Sequence, residues 1–101
     1  MMSNSHNERL EVFKAILDKV NGINAKTQRE RLKQALIRLG NVTTFEAMRF
    51  LDIYYCPSRK QELIEEGFDI ALTWQHVETE SGEIHRVGNY VLKGLPVGGV
   101  K

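Results

Sequence analysis

The sequence predicts an α+β domain of three to four helices followed by a β-hairpin. Apolar residues recur at three-to-four spacing through the first two-thirds of the chain, as in helices with one buried face. Pro57 interrupts that spacing between two short helical runs. Beyond Gly67 the pattern changes to alternation, in two runs separated by a turn containing Ser81 and Gly82.

Residues 1–7 are polar and read as a disordered start. Glu8 to Asn21 puts Leu10, Phe13, Ile16, Leu17 and Val20 on one stripe, ended by Asn21-Gly22. The stripe suits either the domain core or a homodimer seam. Thr27 to Leu39 predicts a second helix, because Thr27 and Glu30 have capping-box spacing. Leu32, Ala35, Leu36 and Leu39 would face inward, leaving Arg29, Arg31, Lys33 and Arg38 outward.

The third helix is predicted from Thr44, as N-cap, to Asp52, with Ala47, Phe50 and Leu51 inward. Pro57 disfavours helix at Cys56 and suits the first turn of a fourth helix. That helix runs to Glu66, with Leu63 and Ile64 inward and Gly67 as its stop. Of Tyr54 and Tyr55 in the turn, one is expected to be packed and the other exposed. The hairpin is predicted over residues 69–92. Ile70, Leu72 and Trp74 alternate with Ala71, Thr73 and Gln75, which places Trp74 in the core rather than in a base-stacking position. Tyr90 and Leu92 share a face of the second strand. Gly94 to Lys101 reads as a loose tail.

Helix, short turn, helix and hairpin together are the plan of a winged helix-turn-helix, with the hairpin as the wing. The chain then divides into a polar tail with an amphipathic helix (1–25), the winged domain (26–93) and a flexible tail (94–101).

The net charge is +1, so any face that binds a polyanion is local. Residues 26–40 carry +4 and residues 57–70 carry −2. The single cysteine, Cys56, excludes an intramolecular disulfide and reads as a small buried filler. No apolar run is long enough to span a bilayer, and the N-terminus lacks a signal-peptide plan, which points to the cytoplasm. His76 and His85 could face each other across the hairpin, but nothing completes a zinc site. No phosphate loop and no paired nucleophile and base are present, so no metal, cofactor or enzymatic activity is expected.

Residues 59–70, RKQELIEEGFDI, resemble the segment R-I-x-E-L-R-x-x-G-Y-x-I of small winged helix-turn-helix domains in phage and prophage proteins. TTFEAMRFLDI is similar to that family's I-T-x-x-E-A-L-x-x-x-x-I, and NYVLKG to its closing aromatic-x-Leu strand. The resemblance spans roughly residues 27–93. The sequence departs from the pattern at Lys60, where the family is apolar, and at Ile64, where it has arginine. Glu65 and Glu66 make the end of the helix acidic.

The resemblance implies a double-stranded DNA-binding protein of phage or prophage type, acting as a small regulator or accessory factor. The N-terminal turn of the fourth helix would approach the base edges. Arg59 would contact guanine, with Ser58, Lys60, Gln61 and Tyr55 beside it. Arg31 and Lys33 would meet phosphates, and His85 and Arg86 of the wing an adjacent groove. So low a net charge suggests a homodimer or a cooperative array. The acidic helix end also supports another reading, a protein-binding adaptor that acts on a host or phage protein.

Overall fold

A computed structural model of the protein describes residues 6–99. The elements are α1 (His6–Lys19), α2 (Ala25–Leu39), β1 (Asn41–Thr43), α3 (Thr44–Leu51), α4 (Cys56–Glu65), β2 (Asp69–Glu78) and β3 (Ile84–Gly94). The predicted α+β architecture is present: four helices and an antiparallel sheet of order β1-β3-β2. The short strand β1 was not predicted. The readings of residues 1–5 and 100–101 lie outside the described residues.

Local chemistry moves several helix ends. Asn24, not Thr27, caps α2, its side chain accepting from the Thr27 N–H at 2.8 Å. The Thr27–Glu30 box does not form, because the Glu30 carboxylate accepts from Gln34 and pairs with Lys33. Gly40 takes φ 84° and donates to Leu36 O, ending α2 so abruptly that Asn41 already lies in β1. Thr43, one residue before the predicted cap, closes a capping box with Glu46. Gly67 (φ +107°) donates to Ile64 O, and Phe68 to Leu63 O, closing α4 in a Schellman motif.

In the sheet, Val42 pairs with Tyr90, Ile70 with Leu92 and Leu72 with Tyr90. Partners share a face, and at the root of the hairpin this face lies in the core with Phe13, Ile16, Leu32, Leu36, Leu51 and Leu63. β1 pairs with only three residues of β3, so the outer half of the hairpin has no third strand. Trp74 stands beyond the core. It lies on the predicted face but is 54% exposed, because the core ends near Ile70 and Leu72. Leu63 is buried as expected.

The α1 stripe belongs to the core. Phe13 and Ile16 are buried, and Phe13 stacks on Phe50 with ring centroids 5.7 Å apart. Phe13 is therefore spent inside the domain and cannot serve as a dimer seam. Arg9 docks the same helix on α3. Its Nε and Nη2 donate to the two Glu46 carboxylate oxygens at 2.9 and 2.8 Å, and Nη2 also reaches Asn41 O.

Arg31 overturns its predicted outward position. It is 5% exposed. Its Nε donates to Val20 O at 2.9 Å, Nη1 to Leu51 O at 3.1 Å and Nη2 to Gly22 O at 2.9 Å. It thus satisfies backbone carbonyls just past the end of α1 and at the end of α3, groups a helix cannot pair by itself.

Two predictions follow from these contacts. Arg31→Ala strands the buried Leu51 carbonyl, at about 1–3 kcal/mol, and removes two charged hydrogen bonds to the partly exposed Val20 and Gly22 carbonyls, so it should lower the unfolding free energy by about 2 kcal/mol or more in urea. A loss below about 1 kcal/mol would contradict the clamp. The second concerns acid. Burial by itself would raise the Glu46 pKa, but hydrogen bonds from Arg9 and Thr43 outweigh it and hold the carboxyl below its ordinary 4.5. A depressed folded pKa contributes stability that is complete above the unfolded value and is lost as pH falls through the folded one. Glu46→Gln should therefore lower stability at neutral pH and weaken its fall below about pH 4.5. An unchanged acid limb would refute this.

Candidate nucleic-acid interface

The turn between α3 and α4 is set by three contacts. Asp52 ends α3 at φ 56°, a conformation that a short polar side chain tolerates. Ile53 is fully buried and anchors the turn. Gln28 of α2 staples it from behind, its Oε1 accepting from the Tyr54 N–H at 3.3 Å while its Nε2 donates to Ile23 O. Held this way, Tyr54 and Tyr55 both point outward, at 65% and 71% exposure, where only one was expected to. The Tyr54 hydroxyl is hydrogen-bonded to Asp52, whose carboxylate raises its pKa.

The predicted basic readers of α4 are turned inward. Cys56, Arg59, Lys60 and Leu63 follow i, i+3, i+4, i+7 and so lie on one helix face. Cys56 and Leu63 bury that face. Arg59 donates to Glu62 Oε2 at 2.9 Å, its side chain is 12% exposed, and its Nε is buried without a partner. The Lys60 ammonium sits 5.5 Å from the centre of the Tyr90 ring. Burial pushes the Cys56 thiol up to about 12, so it is inert at neutral pH.

The acidic end of α4 is partly neutralised from α2. Arg29 pairs with Glu62 at 3.2 Å and with Glu66 at 3.0 Å. Lys33, predicted to meet phosphate, pairs with Glu30 at 2.8 Å with its side chain only 15% exposed. What α4 presents to solvent is Pro57, Ser58, Gln61 and Glu65. Ser58, Gln61 and Glu65 follow i, i+3, i+7, the stripe opposite the buried one, and this spacing is the signal by which they could have been separated from Arg59 and Lys60.

The wing stands beside this helix head. Tyr54 and Pro57 line one shallow groove with Met48 of α3 and Val87 of β3. Arg86 lies over the Trp74 ring, 4.3 Å from its centre. His76 pairs with Arg86, whereas His85 pairs with Val77, so the two histidines lie on opposite faces of the hairpin and do not meet. The wing tip is acidic, with Glu78, Glu80 and Glu83, and Arg49 of α3 holds Glu80 at 2.7 Å.

This architecture agrees with the comparison of the chain with known families. A family model described as a winged helix-turn-helix domain matches residues 27–94, from α2 to the end of β3, and the chain belongs to that family. No curated protein and no solved structure matches the chain at a significant level. No helix among the described residues is long and apolar enough to cross a membrane.

Proposed function

We propose that the protein binds double-stranded DNA in a sequence-dependent way, as a small phage- or prophage-type transcriptional regulator or accessory factor in the cytoplasm, and that it is not an enzyme. The observation that carries this reading is the free polar stripe of α4. Ser58 and Gln61 are exposed and without internal partners, on a helix head flanked by two exposed tyrosines and by the wing. The N-terminal half of such a helix enters the major groove. The Gln61 amide can both donate to and accept from an adenine edge, and the Ser58 hydroxyl can do either at a neighbouring base.

On this reading recognition rests on neutral hydrogen-bonding groups more than on charge. Arg29, Arg31, Lys33 and Arg59 are held within the protein, which leaves Arg86 and His76 on one face of the wing, or His85 on the other, to meet the backbone. Each phosphate contact adds about 0.9 to the logarithmic salt slope, so a shallow slope is expected. Binding by one copy is then weak, and cooperative binding of two or more copies supplies affinity. A surface other than the Phe13 stripe must join them.

A second reading has its own support. The outward face of α4 carries no free cation, and Met48 (55% exposed) and Tyr54 give the neighbouring groove an apolar rim. This surface suits a protein partner, host or phage, and defines the adaptor alternative.

Titration against DNA upstream of the protein's own gene and a scrambled control, at two salt concentrations, separates the readings. Gln61→Ala should cost about 1–3 kcal/mol on the preferred site and much less on the control. Arg59→Ala should cost less than Gln61→Ala. Glu65→Gln, which removes the free carboxylate from the outward stripe, should tighten binding to both DNAs. Should wild type show no preference at low salt and Gln61→Ala behave like it, the adaptor becomes the better account.

A further inference from the structure

We propose that Trp74 and Arg86 form a stacking site for an exposed nucleobase on the flank of the wing. The proposal rests on the DNA-binding reading and adds a chemistry that the helix-turn-helix does not supply. Trp74 is the single tryptophan of the chain, and it stands in solvent at the end of a strand face that opens from buried Ile70 through half-exposed Leu72. It is nonetheless held in place, because Arg86 from the facing strand lies over its ring. The pair offers a flat aromatic surface and a cation together.

The rungs around the indole carry no acid. Directly opposite Trp74 is Gly88. A Cβ there would meet Leu72 Cδ1 at 3.2 Å and Thr44 Cγ2 at 3.3 Å, so close packing at the root of the wing favours glycine. The next rung outward, His76 with Arg86, is exposed and contains no acid. Carboxylates begin at Glu78 and crowd the tip with Glu80 and Glu83. Phosphates are repelled from the tip and tolerated at the flank, so on the wing itself nucleic-acid contact falls at the rungs of Trp74 and Arg86.

An aromatic face with an arginine beside it suits any base whose own face is uncovered, because every base has a π-surface. Two sources provide one: a base step unstacked by kinking of a duplex, or an unpaired base. A cross-strand cation–π pair can also serve only to staple the hairpin, and the test must tell stapling from stacking.

Trp74 emission is a direct reporter, since no other tryptophan contributes. It is followed together with the anisotropy of end-labelled DNA, for a short duplex of random sequence, the same duplex with one unpaired thymine, and its single strand. The expected result is quenching that saturates in step with anisotropy. Quenching by the intact duplex assigns the base to a kinked step. Quenching only by the bulged duplex and the single strand assigns it to an unpaired base. Trp74→Ala should weaken binding of the quenching DNA roughly 5- to 150-fold, the loss of one base–aromatic stack, and Trp74→Phe should retain most of it. Binding by anisotropy with unchanged emission for all three DNAs overturns the stacking site and leaves the DNA-binding reading standing. This wild-type result decides even if Trp74→Ala fails to fold. No binding to any of the three at low salt overturns both.

Discussion

The position of the helix-turn-helix depends on one buried cation. Arg31 joins the chain just past the end of α1, the loop at Gly22 and the last carbonyl of α3 through three hydrogen bonds. Each joins a full charge to a carbonyl that has no helical partner, and such bonds are stronger than neutral ones. The turn to α4 begins directly after Leu51. Fixing the Leu51 carbonyl to α2 therefore fixes where the turn starts, and Gln28, one helical turn before Arg31, fixes where it continues. Arginine suits this place because its fork reaches three acceptors at once, which a lysine ammonium at the end of a flexible stem does less well.

The same economy governs four other cations. Arg9 is taken by Glu46, Arg29 by Glu62 and Glu66, Lys33 by Glu30 and Arg59 by Glu62. Arg9 and Arg29 thereby join different helices, whereas Lys33 and Arg59 are held within their own; Lys26 and Arg38 of α2 stay exposed. The surface left for a partner consists of tyrosines, a serine, a glutamine and the flank of the wing. Such a surface favours shape and hydrogen-bond complementarity over long-range attraction, and the +1 net charge is in keeping with it.

Much of the fold was legible because its elements are punctuated by residues with one strong preference. Pro57, Gly40 and Gly67 mark ends that the structure keeps within a residue or two. The side of α4 was equally legible in principle. Leu63 identifies the buried face, and Arg59 four residues earlier lies on it. Arg31, four residues before inward Ala35, is placed by the same spacing, but its partners are backbone carbonyls, which have no sequence signature. Trp74 was misplaced for a different reason. Alternation gives the face of a strand but not the point along it where the covering layer stops. That point falls between Ile70 and Leu72, where exposure rises from 8% to 46%, and nothing in the strand's own periodicity announces it.

The central claim is that partners are met by the free stripe of α4 and the flank of the wing, and not by the basic residues of α2. Backbone amide shifts of isotope-labelled protein, recorded by NMR as a DNA duplex is added, test it most directly. The account predicts that the amides of Tyr54 to Gln61 and of Trp74, His76, Arg86 and Val87 move, while those of Lys26 to Arg38 stay in place. Shifts concentrated on Lys26 to Arg38, with α4 and the wing unaffected, would contradict it.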